Sequence, residues 1–219
     1  MKKENILFKI TYADSFTIVN GICGLLSVLF ILYSEIYFAF VFILIAVLAD
    51  GMDGIMARKY GGFIGKYMDE FSDTISFCLA PCIFVFHIYE IKLDNFLFLF
   101  VSSLFLIFGM LHLVNYHIGE KNYFVGITTP ASAIIVVSMS YLNLPLITVI
   151  FAMFLLSLLT ISSFPYPRIE KHFAVVACII IFLAMTGIDK FVFLLLFSTS
   201  FYAVCGPIYM NIKYSTRNF

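Results

Sequence analysis

Four aspartates stand between Asp50 and Asp73, in the stretch DGMDGIMARKYGGFIGKYMDEFSD, inside a sequence that is otherwise almost unbrokenly apolar. Asp50 and Asp53 are three residues apart and Asp69 and Asp73 four apart, so on two helices each pair projects from one face. Two such faces make a cage of oxygen ligands, the donor set of magnesium, manganese or calcium. A carboxylate at the centre of a bilayer costs about 2.5 to 3.5 kcal/mol on insertion scales. Four kept together call for compensating cations. Gly54, Ala57, Gly61, Gly62 and Gly65 leave little side-chain bulk beside the carboxylates, which makes room for a bulky ligand. The Gly61-x3-Gly65 spacing also fits close helix packing in a membrane. Arg58, Lys59 and Lys66 suit a phosphate-bearing ligand held beside the metals, and equally an ordinary cytoplasmic loop.

The elements that must position these residues are membrane helices. Of 219 residues, 63% are hydrophobic and 12% charged, the composition of an all-α polytopic membrane protein forming a single integral membrane domain over 1–219. Lys plus Arg and Asp plus Glu balance at 13 each, so there is no basic excess to suggest nucleic acid. The segment 1–12, ending in KENILFKITY, mixes Ile6, Leu7 and Ile10 with Lys3 and Lys9 and reads as a short amphipathic helix on the membrane surface. Apolar runs long enough to span are expected at 15–33, 36–58, 66–88, 94–116, 127–143, 145–163, 171–187 and 190–211. That gives about eight transmembrane helices, with six as the alternative, and makes 36–88 the catalytic helix pair.

Positive charge orients the bundle, because cytoplasmic loops collect Lys and Arg. With the N-terminus inside, only Lys92 and Lys190 fall outside. Both termini and the carboxylates are then expected at the cytoplasmic face of a cell membrane. No small-residue cleavage site follows the early apolar run, so a removable signal peptide is not expected. Cys23, Cys78, Cys82, Cys178 and Cys205 lie in apolar segments and read as core filler. Cys78 and Cys82 share a helix face, but without a nearby histidine they make a poor zinc site. His87, His112, His117 and His172 fall singly near span ends and read as interfacial.

The run Asp50-x2-Asp53-Gly54-x2-Ala57-Arg58, followed by Gly65-x3-Asp69-x3-Asp73, resembles the signature of the CDP-alcohol phosphotransferases, integral membrane enzymes that make phospholipids. The spacer of six residues between Arg58 and Gly65 is shorter than that family's usual one. Three further stretches are similar to those of its bacterial and archaeal phosphatidylserine synthase branch: Asp14-Ser-Phe-Thr-x2-Asn20-Gly21-x2-Gly24, Ser76-Phe77-x2-Ala80-Pro81, and Tyr123-Phe124-x-Gly126-x2-Thr129-Pro130-Ala131. In the third, Ile127 and Thr128 replace the Leu-Pro common in that branch. Thr128-Thr129-Pro130 also reads as an ordinary helix start, with Thr capping and Pro in the first turn.

The resemblance implies transfer of a phosphatidyl group from CDP-diacylglycerol, or its ether-lipid equivalent, to the hydroxyl of L-serine, with release of CMP. It implies two divalent ions, Mg2+ or Mn2+, on Asp50, Asp53, Asp69 and Asp73, and Asp73 as the base that takes the serine proton. Gly54, Ala57 and Gly65 would make room for the nucleotide and Arg58 would brace it. Asn115, Tyr123 and Thr129 can hydrogen-bond a small zwitterion, and Arg168 can pair with a carboxylate or lipid phosphate. A homodimer is implied by the resemblance alone. Within the family, glycerol 3-phosphate, inositol phosphate or an amino alcohol are alternative acceptors, although a phosphorylated acceptor wants an Arg and Lys cluster that this chain lacks outside the motif. A cation transporter or a membrane scaffold are readings from other classes. The first leaves the small residues beside the carboxylates unexplained, and the second has no use for the complete motif.

Overall fold

A segment surrounded by hydrocarbon must satisfy its own N–H and C=O groups, and the α-helix is how one segment does so. The computed structural model describes residues 11–60, 65–116, 123–167 and 171–215; the side chains at 13, 55, 57–60, 65–67, 116, 171 and 213–215 lie outside that description. The surface segment expected at 1–12 is outside it up to residue 10. The described elements are α1 (Tyr12–Leu32), α2 (Ile36–Tyr60), α3 (Gly65–Asp73), a π-helical stretch (Thr74–Leu79), α4 (Ala80–Ile88), α5 (Phe96–Tyr116), β1 (Phe124–Val125), α6 (Thr129–Tyr141), α7 (Leu146–Thr160), β2 (Pro165–Tyr166), α8 (Lys171–Ala184) and α9 (Asp189–Ser215).

Five of the described helical segments are long and apolar enough to cross a membrane: Asp14–Leu32, Ile36–Gly54, Met68–Ile88, Phe96–Asn115 and Asp189–Ile212. Thr129–Tyr141, Leu146–Thr160 and His172–Ala184 are apolar but shorter. Each expected apolar run thus coincides with a helix, and three of those helices are shorter than their runs. The reason is local. Gly126 has φ +85° and Asn143 φ +51°, which confine α6, and α7 gives way at Ile161 to the chain leading into β2. α6 begins at Thr129 with Pro130 in its first turn, as its sequence indicates, but Thr128 caps it without a side-chain hydrogen bond.

Although short, α6 is the centre of the bundle. Ala131 to Ser138 are buried without interruption, the mark of a helix enclosed on every side. One apolar cluster packs Ile135 and Val136 against Val85, Val101, Phe105 and Met153. A second packs Ile134 and Val137 against Phe40, Leu44, Phe84 and Leu195. Large apolar side chains such as Phe100, Phe151, Phe197 and Phe201 face outward, as they do where the solvent is lipid.

The turns joining α1 to α2, α4 to α5, α6 to α7 and α8 to α9 share one design. Ser34, Glu90, Asn143 and Gly187 each adopt positive φ just past a helix end, and the chain then closes back on the helix through bonds such as Glu35 N to Phe30 O, Ile91 N to Phe86 O and Leu144 N to Met139 O, at 2.9, 3.0 and 3.1 Å. Tyrosine hydroxyls link the turns: Tyr37 donates to Met185 O at 2.9 Å, Tyr141 to Gly187 O at 3.4 Å, and Tyr89 to Leu144 O. The opposite end of the bundle holds the carboxylates.

Candidate active site

α1 carries Asp14, Thr17, Asn20, Gly21, Gly24 and Ser27 at intervals that return to one helical face. The polar members are all buried. A capping box starts the helix, with Thr11 N donating to Asp14 Oδ2 at 2.7 Å and Asp14 N to Thr11 Oγ1 at 3.4 Å. The same stripe then meets the carboxylates. Thr17 Oγ1 donates to Asp53 Oδ2 at 2.9 Å, and Asn20 Nδ2 donates to Asp73 Oδ1 at 2.7 Å.

Bare backbone lets the helices come this close. A Cβ on Gly21 would lie 2.9 Å from Ser72 Oγ, and one on Gly24 would lie 2.3 Å from Ser76 Oγ and 3.0 Å from its Cα. Both serines use the proximity, Ser72 donating to Thr17 O at 3.1 Å and Ser76 to Asn20 O at 3.0 Å. On the other side, a Cβ on Gly109 of α5 would sit 2.4 Å from Cys78 Sγ. The π-helical stretch after Asp73 is therefore held between glycines of two neighbouring helices. π turns widen the helix locally and recur at functional sites.

One oxygen from each of Asp50, Asp69 and Asp73 lies within 4.8 Å of the others, and Asp53 sits beside Asp69. Asp53 and Asp73 are buried; Asp50 and Asp69 are half-buried. Two like charges 4 Å apart repel by about 4 kcal/mol at an effective dielectric of about 20. The lysine side chains among the described residues, Lys92 and Lys190, belong to the turns at the far end. Asp69 Oδ1 is buried without a hydrogen-bond partner, and so is Asn20 Oδ1 next to Asp73. Converging carboxylates with an orphaned buried oxygen fit divalent cations, which would satisfy that oxygen and offset the repulsion.

Both carboxylate pairs, placed on separate helices by their spacing, thus come together. Gly54 follows Asp53 within α2 and is half-buried. The backbones of Ala57, Arg58 and Gly65 continue α2 and open α3, but their side-chain surroundings lie outside the described residues, as does Arg168 entirely. Asn115 is exposed at the end of α5, and Tyr123 is half-buried just before β1. Thr129 is buried at 3% exposure in the first turn of α6, its Cγ2 beside Gly109. Cys78 and Cys82 are buried, and all five cysteines are free thiols. His112, expected at an interface, is buried instead, with Nδ1 bonded to Thr160 O at 2.9 Å.

Thr17 and Asn20 were not singled out from the sequence as site residues. The signal for them was available: polar residues recurring every three or four positions along an apolar span must face something polar. Ser72 and Ser76 carry the same signal on the opposing rod. Nothing in the local sequence marks His112.

The family profile described as CDP-alcohol phosphatidyltransferase matches residues 10–162, from the start of α1 past the end of α7. The CDP-diacylglycerol–serine O-phosphatidyltransferase of Methanocaldococcus jannaschii is 33% identical over 199 residues, covering 89% of this chain and 93% of that protein. The archaetidylserine synthase of Methanothermobacter thermautotrophicus is 34% identical over 181 residues, covering 78% and 75% respectively. The CDP-diacylglycerol–serine O-phosphatidyltransferase of Bacillus subtilis is 31% identical over 162 residues, covering 72% and 90%. This membrane-embedded helical chain belongs to the CDP-alcohol phosphatidyltransferase family.

Proposed function

We propose that the protein transfers a phosphatidyl-type group from CDP-diacylglycerol, or its ether-lipid equivalent, to the hydroxyl of L-serine, releasing CMP. The observation that carries this reading is the convergence of Asp50, Asp69 and Asp73 from two helices, with Asp53 beside Asp69 and Asp69 Oδ1 orphaned among them. Family membership and relatives named for transfer to serine support it. Asp50, Asp53, Asp69 and Asp73 would hold two divalent ions, Mg2+ or Mn2+, which when bound neutralise the charge of the pyrophosphate as its bond to CMP breaks.

The chain's own residues do the rest. The serine oxygen attacks the lipid-bearing phosphorus, the phosphorus–oxygen bond to CMP breaks, and the serine proton passes to a carboxylate. Asp73 is the base in this reading. Asn20 holds one of its oxygens, which orients the carboxylate and leaves the other oxygen to receive the proton. Thr17 fixes Asp53 in the same way. Gly54, Ala57 and Gly65 leave space for the nucleotide, and Arg58 braces it.

In this reading residues 1–219 form one domain of eight membrane helices with both termini cytoplasmic. The active site then opens near the cytoplasmic face of the cell membrane, where water-soluble serine reaches it, and the protein works as a homodimer. The test is CMP release by purified protein in detergent with CDP-lipid and Mn2+ or Mg2+, comparing L-serine with glycerol 3-phosphate, inositol phosphate, an amino alcohol and no acceptor. Serine-dependent, chelator-sensitive release is the expected result. Release with a different acceptor would keep the carboxylate chemistry and remove serine, and no release with any acceptor would remove the reaction.

A further inference from the structure

Where α5 and α7 end, a cleft of about 310 Å3 is lined by His112, Asn115, Thr160, Ser162 and Ser163 together with apolar side chains. It is constructed rather than incidental. Buried His112 hydrogen-bonds the Thr160 carbonyl through Nδ1 at 2.9 Å, and Gly126 lies against that carbonyl so closely that a Cβ there would come within 2.1 Å of it. Gly126 N donates to Phe164 O at 2.8 Å, and Val125 pairs with Pro165, which fixes the two segments flanking the cleft. A carbonyl can only accept, so Nδ1 carries the proton and Nε2 is the ring nitrogen left for a ligand.

The cleft lies at the depth of the carboxylates. Phe86 meets Phe98 with ring centroids 6.2 Å apart, Cys82 Sγ reaches Ser102 O at 3.7 Å, and Cys78 lies beneath Gly109. These contacts define an antiparallel register between α5 and the rod running from α3 to α4. Continued at about 1.5 Å per residue, that register puts Asp73 level with the segment from His112 to Asn115. α3 and the π-helical stretch both pack directly on α5.

We infer that this cleft receives the acceptor, the zwitterion of L-serine, and presents its hydroxyl toward Asp73. The inference rests on the function proposed above. The described polar lining is neutral: the Thr160 and Ser162 hydroxyls donate to Leu156 O and Leu159 O, which leaves the Ser163 hydroxyl and the Asn115 amide to donate to a carboxylate, and an imidazole nitrogen to accept from an ammonium group. A phosphorylated acceptor would meet no cationic side chain among the described lining residues.

The experiment is steady-state kinetics of CMP release for Asn115→Leu and Ser163→Ala, with His112→Ala as the harsher variant. The side chains of Asn115 and Ser163 are exposed, so folding should not depend on them. The expected result is a KM for L-serine raised about tenfold or more in Asn115→Leu, with kcat and the KM for CDP-lipid held within about twofold, the pattern of lost acceptor binding. His112→Ala should raise the serine KM further. If the wild-type protein turns over serine and none of the three variants shifts its serine KM, the cleft is not the acceptor site although the proposed function stands. If the wild-type protein shows no serine dependence, both fall together.

Discussion

At one end of the bundle, four turns each close with a residue at positive φ and are tied to one another by tyrosine hydroxyls. At the other end, four carboxylates converge, a π-helical stretch interrupts a rod, and Asp69 and Asn20 keep buried oxygens without partners. The first end satisfies its polar groups locally. The second concentrates charge and leaves acceptors unmet, a cost that makes sense only if a ligand offsets it. Between them, α6 supplies apolar packing on every face. The bundle is thus held by its turns and centre, which frees the opposite end to be arranged for chemistry.

Substitutions at the two ends should therefore separate activity from stability. The largest effect is expected at the carboxylates: Asp69→Asn should lower turnover by about a hundredfold or more, while thermal stability in metal-free detergent holds or rises because one repelling charge is gone. CMP-release kinetics and a melting curve on the same preparation check both halves. Asn20→Ala should lower kcat by about ten- to a hundredfold by releasing Asp73, as the loss of a residue that orients a metal ligand does. It should leave the serine KM nearly unchanged, and a drop in serine affinity instead would place Asn20 in acceptor binding.

Gly126→Ala breaks the comparison from the other side, being a stability lesion at the active end. With φ +85° and the Thr160 carbonyl oxygen 2.1 Å from the added Cβ, it should cost about 1 to 3 kcal/mol. Denaturant titration in detergent would measure it, and an unchanged midpoint would mean that the strand pair relaxes freely. The smallest effect is expected at the turns. Tyr141→Phe removes one long hydrogen bond of 3.4 Å and should cost about 1 kcal/mol or less, with kcat and both KM values unchanged.

The sequence made the carboxylates legible because their spacing is a geometric statement: three and four residues apart on helices allow one arrangement in space. The apolar runs were legible for the same reason, since length and hydropathy leave few choices in lipid. What remained hidden depends on partners distant in the chain. Thr17 and Asn20 sit in a stretch noted for its resemblance, but their bonds to Asp53 and Asp73 cross 36 and 53 residues. The π-helical stretch has no composition of its own and is set by Gly24 and Gly109 pressing from two sides. His112 looked like one more histidine at a span end, and only its approach to Thr160, 48 residues on, brings it into a cleft. The start of α6 was legible in Thr128-Thr129-Pro130, whereas the apolar run begins earlier because Ile127 is as apolar as any helical residue and is drawn out of the helix by the strand pair beside it.

The most direct test of the carboxylate end is Mn2+ binding to the purified protein, followed by electron paramagnetic resonance, with the wild-type chain beside Asp50→Asn and Asp69→Asn. The account predicts bound Mn2+ in the wild-type protein, approaching two ions per chain in the presence of CDP-lipid, and clear loss of that signal in both variants while the fold is retained. Equal binding in wild-type and variant proteins, or none in any, would contradict the assignment of these carboxylates as the metal centre.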